Sequence, residues 1–268
     1  MSEFIVFEGH RVHYSSQGNG PALVLLHGFL ESLEIWDNFA AELSREFKVV
    51  RIDLPGHGKS DTVAEVHTME LMAEAVKAVL DHLEISSCLV AGHSMGGYVS
   101  LAFVEKYPDC PRGIVLFHSQ AAPDSTDARE NRNRTIGIVK KNRSGFIRVF
   151  IPDLFDQRHV TKHTRQIENL VRMASEVKDE GIIAAIEGMK ERKGWLNLLQ
   201  HIKMPVLFIA GKQDSRIPCK LILEQATIPA HAEVLLLDDV GHMGFIEASS
   251  QTLAALRHFA LRCFEVAV

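Results

Sequence analysis

Short, nearly continuous apolar runs recur along the chain: Ala22 to Leu26, Val49 to Leu54, Cys88 to Ala91, Ile114 to Phe117, Val206 to Ala210 and Val234 to Leu237. Apolar runs of roughly four to eight residues with no polar alternation predict strands covered on both faces, the condition of a parallel sheet. Between them, apolar positions spaced three and four apart predict helices over Trp36 to Leu43, Thr68 to Leu83, Met95 to Tyr107, Leu221 to Ala226 and Ser249 to Phe264. Ahead of the first run, Phe4 to Phe7 and Val12 to Tyr14, separated by Gly9-His10, read as a hairpin. Strand and helix alternate, so the expected class is α/β with a mostly parallel sheet and flanking helices.

One stretch breaks the alternation. From Gln120 to Ile202 there are helical stripes, such as Phe146, Phe150 and Leu154 or Ile182, Ile183, Ile186 and Met189, but no strand-like run. A structureless loop of that length is improbable, so the expected organisation is a core of residues 1–119 and 203–268 with a helical cap at 120–202.

Composition narrows the function. The chain has 268 residues, is 46% hydrophobic and carries a net charge of −5, which gives no basic footprint for nucleic acid. The first residues lack a basic start and an apolar core, and no apolar run approaches the roughly 18 residues of a bilayer span. The expectation is a cytoplasmic protein with no membrane segment. Cys88, Cys110, Cys219 and Cys263 are widely spaced and read as reduced thiols.

Candidate chemistry begins at Gly92-His93-Ser94-Met95-Gly96, between an apolar run and a helical stripe. A Gly-x-Ser-x-Gly match arises by chance in such a chain about one time in ten, so its context decides. In a strand-to-helix elbow the central residue is strained and side chains two positions either way collide, hence the glycines. A serine hydroxyl needs a base, and the base needs a carboxylate to fix its tautomer. His242 follows the Val234 run and Asp214 follows the Val206 run, and parallel strands deliver both loops to the edge that carries Ser94. Asp238 and Asp239 lie nearer to His242 in sequence but end their own strand. The backbone amides of Met95 and of Phe29, beside Gly28, are the expected oxyanion donors.

These motifs resemble the α/β-hydrolase family over essentially the whole chain. The matching residues are His27-Gly28-Phe29, Asp53-Leu54-Pro55-Gly56-His57-Gly58-Lys59-Ser60, Gly92 to Gly97, Asp214 and Gly241-His242. The resemblance implies a Ser-His-Asp hydrolase with a helical cap, similar to small carboxylesterases and enol-lactonases. Its substrate would be a small carboxylic ester, lactone or thioester, with no cofactor and no metal. Carbon–carbon bond hydrolysis and cofactor-free perhydrolysis use the same triad in relatives, and a ligand-binding receptor on a hydrolase scaffold is the third alternative. Family members with aspartate at the elbow, dehalogenases and epoxide hydrolases, are disfavoured by Ser94.

The remaining candidates divide between packing and binding. Asp53 to Ser60 is expected to form a structural turn, and His27 and His93 to pack or hydrogen-bond beside the site. His118 is balanced between the pocket wall and a structural role. His159 and His163 have metal-like helical spacing but no acidic partner in a zinc-protease pattern. Phe146, Phe150, Phe155 and Trp195 read as cap core, with Phe146, Phe150 and Trp195 also candidates for an apolar ceiling over the substrate. Arg129, Arg132, Arg134, Lys140, Lys141 and Arg143 read as a solvated helix face, or as a field that steers an anionic substrate.

Overall fold

The apolar runs pair into one sheet. In a computed structural model that describes residues 2–265, eight strands form it: β1 (Ser2–Phe7), β2 (His10–Gln17), β3 (Ala22–Leu26), β4 (Lys48–Ile52), β5 (Cys88–His93), β6 (Pro111–Phe117), β7 (Val206–Gly211) and β8 (Ala232–Leu237). Residue 1 and residues 266–268 of the expected core lie outside the described residues. The strand order is β1-β2-β4-β3-β5-β6-β7-β8. β1 and β2 form the antiparallel hairpin, β2 also runs antiparallel to β4, and every pairing from β4 to β8 is parallel.

Burial follows position in the sheet. β3, β5 and β7 are buried at every residue, which is why they read as unbroken apolar runs. Each such Leu, Ile or Val contributes roughly 1.5–3 kcal/mol through its removal from water. β2 extends three residues past its apolar part because Ser15, Ser16 and Gln17 pair with Arg51, Val50 and Val49 of β4. β8 is an edge strand whose first three residues are exposed, so its apolar run begins two residues after the strand does.

Helices connect the strands: α1 (Asp37–Leu43), α2 (Met69–His82), α3 (Met95–Lys106), α4 (Thr126–Phe150), α5 (Thr164–Glu176), α6 (Asp179–Glu191), α7 (Leu196–His201), α8 (Cys219–Ala226), α9 (Gly244–Glu247) and α10 (Ser249–Glu265). Thr68 caps α2 by accepting from the Leu71 amide. α4 to α7 all fall between β6 and β7, and α4 is interrupted at Asn142, whose side chain accepts from the Gly145 amide at 2.9 Å and starts the helix again. No helix among the described residues is long and apolar enough to cross a membrane. The four cysteines are free, with Cys88 and Cys110 bringing their sulfurs to 3.9 Å.

Candidate active site

The elbow after β5 is built by steric exclusion. Ser94 has φ 49° and ψ −112°, a conformation costly for any residue with a Cβ. A Cβ on Gly92 would lie 2.1 Å from the Gly96 carbonyl, one on Gly96 would lie 2.6 Å from the carbonyls of Leu26 and His27, and one on Gly97 would meet Ser119 Oγ at 2.2 Å. The Ser94 amide donates to Phe117 O (2.9 Å), and Ser119 Oγ donates to Ser94 O (2.8 Å), so the strained residue is tied to β6 and the segment after it. Among the described residues Ser94 Oγ has no hydrogen-bond partner, which leaves the hydroxyl free to turn.

The loops after β7 and β8 bring an acid and an imidazole together. His242 Nδ1 lies 2.8 Å from Asp214 Oδ2. The same oxygen accepts from His118 Nδ1 at 3.1 Å, while Oδ1 accepts the amides of Arg216 (2.8 Å) and Ile217 (2.9 Å). Burial works to raise the Asp214 carboxyl, but the charge and N–H donors of His242 and His118 outweigh it and hold the acid far below the ordinary carboxylate range. Burial pushes His118 down to about 4, against the pull of Asp214, so His118 is a neutral ring that donates from Nδ1. His118, Asp214 and His242 offer three metal-type donors within 4.8 Å of one another. Both ring nitrogens lie at hydrogen-bond distance from the one carboxylate oxygen.

Two backbone donors complete the set. Among the described residues the amides of Phe29 and Met95 donate to no carbonyl or side chain, and unpaired N–H groups are available to an anionic oxygen. The loop carrying Phe29 is held by Glu31, whose carboxylate accepts the Gly28 amide at 2.5 Å and faces His93 Nδ1 at 3.0 Å. His27 is structural: its Nδ1 donates to Gly28 O (2.7 Å) and its Nε2 accepts from the Leu54 amide (2.9 Å). Asp53 is structural too, since its carboxylate accepts the amides of Leu33 and Lys59 and meets His13 Nδ1, fixing the Asp53 to Ser60 turn.

Ser94, His242 and Phe29 share the wall of one cavity of about 320 Å³. Phe146 and Phe150 line it, with Phe150 edge-on to Phe29 at 5.8 Å, and Leu154, Ile186 and Met189 add to the apolar side. Two expected wall residues are displaced from it. Trp195 is buried against the core, where its amide donates to Ala121 O and its indole to Glu105 of α3, so it anchors the inserted helices rather than roofing the substrate. His118 stands behind Asp214 and is likewise absent from the wall.

The cavity also has a polar side, of which the sequence reading holds only Arg132, within a basic run read as solvated or as steering an anionic substrate. Ala128, Asn131, Arg132 and Thr135 present one face of α4 to it. Arg132 therefore departs from the solvated basic run: it pairs with Asp124, and its remaining terminal nitrogen meets only Met189 Sδ, at 3.5 Å. Asp124 also pairs with the buried Arg192, so two guanidinium groups share one carboxylate. The i, i+3, i+4, i+7 spacing of these α4 positions was the available signal, hidden because the face is polar. Glu31 gave none, being a lone acid in a loop.

A family model described as alpha/beta hydrolase fold matches residues 21–249. The chain is 31% identical over 238 residues to the dihydrolipoyllysine-residue acetyltransferase component of the acetoin cleaving system of Pseudomonas putida, covering 87% of this chain and 61% of that protein. It is 28% identical over 249 residues to a 2-hydroxy-6-oxononadienedioate/2-hydroxy-6-oxononatrienedioate hydrolase of Burkholderia vietnamiensis, covering 87% and 84%. Among solved structures, a thermophilic esterase from Thermogutta terrifontis, studied with malate bound, superposes with a TM-score of 0.92 at 31% identity, over 98% of this chain and 99% of that one.

Proposed function

Because the chain belongs to the α/β-hydrolase family, we propose that this hydrolase is a serine carboxylesterase acting on a small carboxylic ester, lactone or thioester. The observation that carries the reading is Ser94 and His242 on the wall of one cavity, with Asp214 behind His242 at 2.8 Å from its Nδ1.

In this reading Ser94 Oγ attacks the substrate carbonyl carbon as its proton passes to His242 Nε2. Asp214 accepts the Nδ1–H of His242, which fixes the tautomer and stabilises the imidazolium. The carbonyl oxygen, now an oxyanion, accepts from the amides of Phe29 and Met95. Collapse expels the alcohol, which takes the proton from His242 and leaves an acyl-Ser94 ester. A water then gives its proton to His242, attacks the acyl carbon, and the acid leaves as the proton returns to Ser94. The inserted helices of 120–202 act as a cap over the core of 1–119 and 203–268, and supply Phe146, Phe150 and the α4 face as substrate wall. A cytoplasmic location is part of this proposal, and the net charge of −5, which gives no basic footprint for nucleic acid, supports a small-molecule substrate.

A second reading, carbon–carbon bond hydrolysis of a diketone-like acid, is supported by the Burkholderia relative's name and by Arg132 on the wall. The test is a p-nitrophenyl ester series beside a dienone acid, on wild type and Ser94→Ala. Ester turnover with fluorophosphonate labelling at Ser94, both lost in Ser94→Ala with a fall in kcat of about 10⁴–10⁶, supports the esterase. Turnover of the dienone acid alone supports the second reading, and a folded wild type inert to both and unlabelled overturns the assignment.

A further inference from the structure

Both ring nitrogens of His93 face acceptors. Nε2 lies 2.9 Å from the backbone carbonyl of His242, and Nδ1 lies 3.0 Å from Glu31 Oε2, the atom that also accepts the Gly28 amide. A carbonyl oxygen only accepts, so Nε2 carries a proton. Glu31 Oε2 already receives one N–H, which favours the carboxylate form, so Nδ1 carries a proton as well. The ring is then a cation and Glu31 its counter-ion, each about 1% exposed. The two atoms fill the space over Gly28, where a Cβ would lie 2.8 Å from each.

We propose that Glu31 and His93 are a positioning ion pair that locks the Phe29 oxyanion loop to the elbow and to the backbone of His242. This rests on the serine hydrolase reading above. The pair joins three segments: the loop after β3 and the end of β5 next to Ser94 through the Glu31–His93 contact, and the loop after β8 through the His242 carbonyl. Neither residue reacts; the pair sets where the Phe29 amide stands relative to the Ser94 hydroxyl. A misplaced oxyanion donor is costly, because deleting one outright lowers kcat by about 10²–10³.

The surroundings of His93 favour the pair. The rings of His242 and Phe245 lie 5.0 Å away, that of Phe117 6.1 Å and that of His118 6.2 Å; His118 is neutral, and Asp214 adds negative charge. His27, the other histidine whose charge couples to His93, is lowered by burial. Burial opposes the cation on His93, but Glu31 and the His242 carbonyl outweigh it and the net shift is upward. Burial likewise opposes the Glu31 carboxylate, and His93 together with the Gly28 amide reverses it.

The experiment combines ester kinetics across pH with ¹⁵N-histidine NMR of the full chain. In Glu31→Gln, kcat falls about 10- to 100-fold with KM within about threefold, and the alkaline loss of activity begins at lower pH than in wild type, since His93 no longer has its counter-ion. In wild type the His93 signal, identified by its disappearance in His93→Gln, shows both ring nitrogens protonated at neutral pH. Wild-type kcat and pH profile in a folded Glu31→Gln, or a bare ring nitrogen on wild-type His93, overturns the proposal. If Glu31→Gln does not fold, the wild-type spectrum decides. A wild type that hydrolyses no ester overturns the esterase reading instead, and the spectrum still decides the pair.

Discussion

His118 Nδ1 lies 3.1 Å from Asp214 Oδ2, the oxygen that also meets His242 Nδ1. The acid thus serves two imidazoles. His118 itself has φ 46°, strain held by the hydrogen bond from its amide to Ile209 O (2.8 Å), and no residue but glycine fits at 244, where a Cβ would lie 2.3 Å from His118 Nε2. Backbone strain maintained by such packing is found where a side chain must be aimed.

His118→Phe keeps the ring volume and removes the donor. One hydrogen bond to a charged group is worth about 1.5–3 kcal/mol, so kcat on p-nitrophenyl acetate is expected to fall about tenfold or more with KM unchanged. Steady-state kinetics beside a thermal melt check this. An unchanged kcat in the folded variant would make His118 a bystander.

Arg132 and Arg192 share the single carboxylate of Asp124, leaving one positive charge in excess at the polar wall. Partly buried charge is costly until compensated, and an anionic group on the substrate would compensate it. Wild type is therefore expected to prefer p-nitrophenyl hemisuccinate over the similarly sized neutral butyrate. Arg132→Met should lower kcat/KM for the hemisuccinate about tenfold or more and change the butyrate value by less than about threefold. Equal losses on both esters would show that Arg132 only supports the helix.

The parallel strands were legible in the sequence because burial on both faces leaves nothing but apolar residues, as in Ala22 to Leu26. The elbow was legible because steric exclusion at Gly92 and Gly96 admits one residue type. Ser15 to Gln17 of β2 were not, since a backbone ladder places no demand on the side chains that its amides carry. Trp195 reads as cap core and as a ceiling candidate for a different reason: an amphipathic aromatic satisfies a buried anchor and a cavity roof equally, and only the position of Glu105 decides for the anchor. Glu31 escaped because its role comes from His93, distant in sequence, and Arg132 reads only within a basic run, as solvated face or steering field, because the run does not show which member pairs with Asp124 and faces the cavity.

Three buried histidines make the fold acid-labile. Burial lowers His57 to about 3, and His67 and His118 to about 4, so all three are neutral in the folded protein while their unfolded counterparts titrate near 6.5. Between about pH 6.5 and pH 4 the unfolded chain binds more protons, so stability is complete above that window and falls as pH drops through it. These three protons alone give a slope near pH 5 of about 4 kcal/mol per pH unit, and His27, which burial also lowers, adds in the same direction. Urea unfolding at pH 7, 6 and 5 measures it, and His67→Gln should lower the slope by about 1 kcal/mol per pH unit. A midpoint independent of pH across this window would contradict the neutral assignment.

Gly97 and Ser119 form a matched pair at the elbow. A Cβ on Gly97 would stand 2.2 Å from Ser119 Oγ and 2.4 Å from its Cβ, and Ser119 Oγ meanwhile holds the Ser94 carbonyl at 2.8 Å. Gly97→Ala must push Ser119 aside, with overpacking of about 1–3 kcal/mol and a loss of the tie to Ser94. Removing the whole obstructing side chain in Ser119→Gly opens the space that the new methyl needs. The double variant is therefore expected to recover at least about 1 kcal/mol relative to the sum of the single changes, a coupling that a double-mutant cycle of urea melts measures directly. Strict additivity would place the strain of Gly97→Ala in the backbone of α3 rather than against Ser119. Kinetics on the same four proteins separate packing from aim: if Ser119 also steadies the nucleophile, Ser119→Gly lowers kcat while the melt moves little.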